Sequence, residues 1–269
     1  AVALVYKFIQ QFYSSIEYYI PDRYDEGYGV SKKGIDYAKE AGVKLIIILD
    51  CGIKAIDEIA YAKSLGIDFI ICDHHMPDDE LPPAVAILNP KRADDTYPFK
   101  HLCGCGVGFK FMQAFAKNNG IPFARLIPLL DLCAVSIAAD IVPVTEENRI
   151  LAFHGLKTLN QNPSIGLKAI IDICGLGGRD ISMSDIVFKI GPRINASGRM
   201  ESGRESVDLL VDKDFSHALE KAKHIDSYND KRKDIDKQMT EDANHIVSRL
   251  ESQRHQSSIV LYDEHWKKG

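Results

Sequence analysis

The sequence predicts an α/β fold: a mostly parallel sheet flanked by helices, followed by a long connecting helix. Two apolar runs, residues 43–49 and 67–72, have the continuous character of strands buried on both faces. A helical segment over residues 53–65 joins them as a βαβ crossover, and each run ends in an acid: Asp50-Cys51-Gly52 after the first, Asp73-His74-His75 after the second. Open parallel sheets gather their functional groups at the carboxyl edge, so Asp50 and the Asp-His-His should share one edge.

Residues 1–12 open directly in an amphipathic helical pattern with neither an initiator Met nor a preceding strand, so the chain reads as cut from something longer. Extended segments are expected around residues 16–20, 43–49, 67–72 and 84–88, separated by helices, as in a sheet covered on both faces. From residue 109 to 159 the pattern is helical, interrupted at Pro122, Pro128 and Pro143. Asp140 closes the run at 132–139, either as a carboxylate delivered by a buried small-residue helix or as a helix-ending residue before the turn at Pro143. Residues 215–253 read as one long, solvated helix, and Ser258-Ile259-Val260-Leu261-Tyr262 as the first strand of another domain. The expected division is therefore a domain over 1–212, a connecting helix over 213–256 and the stub of a second domain over 257–269.

With 269 residues, 45% hydrophobic and 26% charged, the chain can bury a sizeable core. No apolar run approaches the roughly 18 residues of a membrane span, and no basic start with a small-residue cleavage site marks a signal peptide, so a cytoplasmic location is the default expectation. Six scattered cysteines, several inside apolar segments, suit a reducing compartment and imply no disulfide framework. Cys103-Gly104-Cys105 is spaced too tightly for a zinc knuckle and reads as a loop before a helix. A net charge of −5 argues against indiscriminate binding to polyanions, although a local basic groove can coexist with an acidic whole.

Carboxylates and imidazoles at one sheet edge suit a divalent transition ion such as Mn²⁺ or Zn²⁺, whereas an all-oxygen site would favour Mg²⁺ or Ca²⁺. The competing reading is local: one His caps the next turn and Asp73 begins an Asx-turn.

Asp50-Cys51-Gly52, Asp73-His74-His75, residues 139–143 (Ala-Asp-Ile-Val-Pro) and residues 191–199 (Gly-Pro-Arg-Ile-Asn-Ala-Ser-Gly-Arg) resemble, in order and spacing, the DHH phosphoesterase superfamily. The last of these, with residues 21–29, is most similar to the superfamily's single-stranded-DNA-specific exonuclease branch. The resemblance implies hydrolysis of single-stranded DNA from its 5′ end in recombination and repair, with two divalent ions, Mn²⁺ or Mg²⁺, and with single-stranded DNA and repair proteins as partners. By position Asp50 would bridge the metals, His74 and Asp140 would complete one ion's shell, and His75, with Asp73 of the same motif, would act at the scissile phosphate. The resemblance also places an aspartate-rich strand end, carrying the remaining ligands, ahead of Ala1.

Arg23 and Tyr28 fall where that pattern puts a pocket for a 5′-phosphate, a group that Arg grips bidentately; on residues alone the segment reads as a surface turn. Arg193, Asn195, Ser197 and Arg199 alternate, so in an extended conformation they would project to one side as a rail for phosphates, with plain hydrogen-bonding loop residues as the other reading. Gly104, Gly106 and Gly108 ahead of Phe109 read as a tight turn rather than a phosphate cradle, and Lys231, Arg232 and Lys233 as a solvated helix face. Two rival functions remain: a phosphoesterase of short oligonucleotides or cyclic dinucleotides, and a non-catalytic scaffold of a replication complex.

Overall fold

The computed structural model describes residues 1–200, 202–249 and 258–266. At its centre three parallel strands, β1 (Leu45–Leu49), β2 (Asp68–Cys72) and β3 (Ala86–Leu88), lie in the order β1-β2-β3. Leu45 pairs with Asp68 and Leu49 with Cys72, while Cys72 also pairs with Leu88, so all three carboxyl ends finish level. The strands are short and almost wholly apolar because helices cover both faces. On one side lie α2 (Lys32–Glu40) and α3 (Ile56–Ser64), sharing a core of Ile35, Ile59, Ile67, Phe69 and Ile71. On the other lie α1 (Val2–Ile9), α4 (Gly104–Asn118) and the larger helical body behind them.

In that body, α5 (Leu130–Ala139) carries apolar residues on every side, with Asp131 and Ser136 the polar exceptions, and is accordingly buried, with α6 (Glu146–Gln161) laid against it. The two approach so closely that a Cβ on Gly155 would stand 2.2 Å from the Leu130 carbonyl, so a glycine is required at this crossing. Then follow α7 (Ile165–Ile173), a single turn α8 (Met183–Asp185), a π-helical stretch Ile186–Ile190, α9 (Gly191–Met200), α10 (Gly203–Leu210) and α11 (Phe215–Arg249). At 1.5 Å per residue, the 35 residues of α11 span about 50 Å. Among the described residues no helix is long and apolar enough to cross a membrane.

The α/β fold, the parallel sheet and the long helix are all present, and four expectations are corrected. Residues 16–20 form no strand: the hydroxyls of Tyr18 and Tyr19 are instead committed to Asp208 and Glu26, tying the segment to α10 and to its own loop. Helix α4 begins at Gly104, so the three glycines lie inside its first turns, where Cys103 caps it by accepting from the Gly106 amide. The first half of α11 is packed rather than solvated, burying Ala218, Ala222, Ile225 and Tyr228 at three- and four-residue spacing. Finally, residues 258–262 carry no regular structure, and residues 250–257 lie outside the described residues.

Candidate metal centre

Asp50 ends β1 and adopts a left-handed backbone, φ +68°, that bends the chain sharply at the sheet edge. Its carboxylate rests on the first turn of α4, where a Cβ on Gly104 would lie 1.8 Å from Oδ1. Next to it, β2 ends in Asp73, whose buried carboxylate is fully committed. Oδ1 accepts from the amides of His74 and His75 (2.7 and 3.2 Å), and Oδ2 from the Ile53 amide at 3.0 Å. His75 Nδ1 also faces Asp73 Oδ1 at 2.7 Å. A carboxylate only accepts, so this contact puts the proton on Nδ1 and leaves Nε2 free to act. Asp73 therefore fixes the orientation of the His75 ring.

His74 is buried and points Nε2 at two carboxylates, Asp50 Oδ1 at 3.2 Å and Asp140 Oδ2 at 3.4 Å. Neither contact is aligned as a hydrogen bond, and the atom is buried with no partner. Burial pulls the Asp50 pKa up and the His74 pKa down, but their mutual contact overrides both: Asp50 is held below the ordinary carboxylate value and His74 above the ordinary imidazole value. Asp140 arrives from elsewhere, capping the C-terminus of α5, and Ile141 after it is also left-handed, φ +52°, a strained geometry for a β-branched residue. Ligand atoms of Asp50, His74 and His75 all lie within 4.8 Å of one another. An orphaned imidazole nitrogen converging with two carboxylates is a donor set that fits a borderline divalent cation such as Mn²⁺.

A groove of about 540 Å³ runs from this cluster along the free side of β1 and is lined by Asp50, His75, Arg23, Tyr28 and Gly198. Arg23 lies over the Tyr28 ring, 4.4 Å from its centroid. The loop carrying it is held by Glu26, which accepts from Tyr19 Oη at 2.9 Å, from Ser31 Oγ at 2.5 Å and from the Asp22 amide at 3.0 Å.

The expected rail is corrected. Arg193, Asn195, Ser197 and Arg199 lie on a helix, α9, where a spacing of two sends successive side chains around the axis instead of to one side. Arg193 is tied to Asp226 at 2.7 Å and to the Lys189 carbonyl, while Ser197 is wholly buried against Ser206. Asn195 is exposed, and the Arg199 side chain lies outside the described residues. Sequence reasoning missed two contributors to the site: Gly104, and Asn89 at the end of β3, whose amide donates to the His75 carbonyl at 2.8 Å. An Asn closing the third apolar run at the same edge was the available signal.

A short parallel sheet with Asp, His and His converging at its carboxyl edge defines an α/β protein with a candidate divalent-metal centre. The chain belongs to the DHH family: the model of the DHH family N-terminal domain matches residues 1–137. It is 39% identical over 261 residues to the single-stranded-DNA-specific exonuclease RecJ of Bacillus subtilis, covering 97% of this chain and 32% of that protein. It is 35% identical over 268 residues to RecJ of Escherichia coli, covering 95% and 46% respectively. The chain thus spans under half the length of these curated relatives. Among solved structures it resembles exonuclease RecJ bound to manganese, with a TM-score of 0.77 and 27% identity over 88% of this chain and 60% of that one. RecJ from Thermus thermophilus in complex with Mn²⁺ gives a TM-score of 0.76 and 25% identity over 88% and 34%.

Proposed function

We propose that this chain supplies the catalytic segment of a metal-dependent exonuclease that hydrolyses phosphodiester bonds of single-stranded DNA from the 5′ end, in recombination and repair in the cytoplasm. The observation that carries this reading is the buried, unpartnered Nε2 of His74 facing Asp50 and Asp140, beside a groove that Asp50, His75 and Arg23 line. The names of its relatives supply the substrate class.

In this reading Asp50, His74 and Asp140 hold a Mn²⁺ or Mg²⁺ ion, one of a pair. Bound there, such ions supply Lewis acidity to a phosphoryl oxygen and acidify water. The chain's own residues do the rest. His75, its ring fixed by Asp73 and its backbone by Asn89, presents Nε2 towards the scissile phosphate as charge develops there. Arg23 offers a bidentate grip to a terminal phosphate, and the Tyr28 ring holds its guanidinium in place. With the terminal-phosphate grip and the cluster in one groove, a chain end is measured against the reacting bond, which is how polarity arises.

The test is digestion of single-stranded and duplex oligonucleotides, labelled at either end, with Mn²⁺ or with EDTA, by residues 1–269 joined to the upstream aspartate-rich strand and the downstream domain that the resemblance implies; residues 1–269 alone are expected to bind Mn²⁺ weakly and to digest nothing detectable. Mn²⁺-dependent release of nucleotides from the 5′ end of single strands alone is expected, and its loss in Asp140→Ala. Release from the 3′ end, or undiminished activity in that variant, would overturn the reading.

A further inference from the structure

A cation on the long helix has no ion-pair partner among the described residues. Arg232 sits in a run whose neighbours Lys231 and Lys233 are exposed, yet its Nε is buried and has no hydrogen-bond partner, and among the described residues it makes no ion pair. This departs from the solvated face expected of the sequence. One turn earlier on the same face, Asn229 is fully buried with neither amide atom partnered. The turn before that carries Asp226, already engaged by Arg193. The α11 face that meets α9 therefore begins in a satisfied ion pair and ends in two unsatisfied polar groups.

Arg232 lines a small cavity of about 160 Å³ with Ala139, Val187, Gly191, Pro192 and Asn195. Arg232 and Asn195 supply its polar side chains, and none of the lining residues carries a carboxylate. The Arg232 Nε–H is a buried donor without an acceptor, which an oxyanion entering the cavity would satisfy. Ala139 directly precedes Asp140, so the cavity lies one residue along the chain from the candidate metal centre.

We propose that Arg232 and Asn195 form an oxyanion subsite at the junction of α5, α9 and α11 that takes a backbone phosphate of the nucleic-acid strand beside the reacting bond. The proposal rests on the nuclease reading for the identity of its ligand. The oxyanion chemistry itself rests on the cavity. Arg is suited to the task because its planar fork matches two phosphate oxygens, which a lysine ammonium does not. An Asn beside it contributes an amide donor without adding charge.

The experiment follows the side-chain Nε–Hε resonance of Arg232 by NMR while the metal-free chain is titrated with oligothymidylate and, separately, with inorganic phosphate. Oligonucleotide affinity is measured in parallel by fluorescence anisotropy at several KCl concentrations. The resonance is expected to shift with both ligands. Arg232→Gln should weaken oligonucleotide binding about tenfold and reduce the salt slope by about one, as loss of one phosphate contact does. Arg232→Lys should recover the slope but only part of the affinity. A merely structural arginine would lower the melting temperature and leave the slope alone, and that result overturns the proposal. So does a resonance unmoved by either ligand, which needs no variant to fold. A shift with phosphate in a chain that binds no oligonucleotide upholds the oxyanion subsite and fails the nuclease reading instead.

Discussion

Gly104 stands against Asp50 with no room for a side chain: a Cβ there would meet the carboxylate Oδ1 at 1.8 Å and its Cγ at 2.3 Å. Asp50 cannot swing away freely, because its left-handed backbone already fixes its direction. Gly104→Ala should therefore cost about 1–3 kcal/mol of stability through overpacking and lower Mn²⁺ affinity at least tenfold. Calorimetric titration with Mn²⁺ and thermal melting check both. Unchanged affinity would show that Asp50 is not a ligand.

His75→Ala should act mainly on turnover. Its Nε2 is the free nitrogen at the cluster's edge while Nδ1 is spent on Asp73, so the loss expected is on the order of 10²–10⁴ in kcat for a group serving the transition state. Mn²⁺ affinity should change only a few-fold. Parallel loss of affinity and turnover would make His75 a ligand instead.

Asp73→Asn tests the positioning role. An amide in place of the carboxylate offers one acceptor atom to donors that now use both oxygens, so His75 should lose its fixed tautomer. Turnover should fall towards that of His75→Ala, with the substrate KM nearly unchanged. An unaltered kcat would leave Asp73 a purely structural acceptor.

Arg23→Ala should abolish discrimination between 5′-phosphate and 5′-hydroxyl oligonucleotides while the fold persists, since the side chain is exposed and packs on the exposed ring of Tyr28. The ratio of kcat/KM for the two substrates is the measurement. A preserved ratio would remove Arg23 from the terminal-phosphate grip.

The loop bearing Arg23 should loosen in acid. Burial tends to raise the Glu26 pKa, but hydrogen bonds from Ser31, the Asp22 amide and Tyr19 outweigh it and hold the carboxyl below its ordinary 4.5. A carboxyl depressed in the folded state adds stability that is complete above the unfolded value and disappears as pH falls through the folded one. Hydrogen-exchange protection over residues 17–31, taken relative to the intrinsic rate at each pH, should fall below pH 4.5, and Glu26→Gln should remove that pH dependence. Identical profiles for the two proteins would dismiss Glu26 as the clasp.

Much of the sheet and of the candidate cluster was legible because parallel strands buried on both faces must be apolar, so the first polar residue after each run marks the sheet's carboxyl edge. Asp50 and Asp73 stand out for that reason, and Asp140 for ending an apolar helix. The segments that misled did so where side chains suited to a strand serve another purpose. Residues 16–20 are rich in Ile and Tyr, but Tyr18 and Tyr19 use their hydroxyls to reach Asp208 and Glu26. Residues 193–199 alternate by accident within a helix, where Ala196 and Ser197 are buried and Arg193 is exposed only in part. Arg232 looked solvated because its immediate neighbours are charged, and only the approach of α9 to α11 encloses it. Contacts between distant segments leave no periodic trace.

The backbone at Asp50 also limits what substitution can do there. A φ of +68° is tolerated by Gly, Asn and Asp and resisted by most other residues. The ligand role proposed for this position asks for a hard, negatively charged donor, which Asp and Glu offer. One amino acid satisfies both demands, so a saturation library at this position should divide into variants that fold without the ligand, Asn and Gly, and one, Glu, that keeps the charge but strains the turn. Neither route leads around the aspartate by single steps, which makes residue 50 a fixed point of this sheet edge for reasons of shape as much as of chemistry.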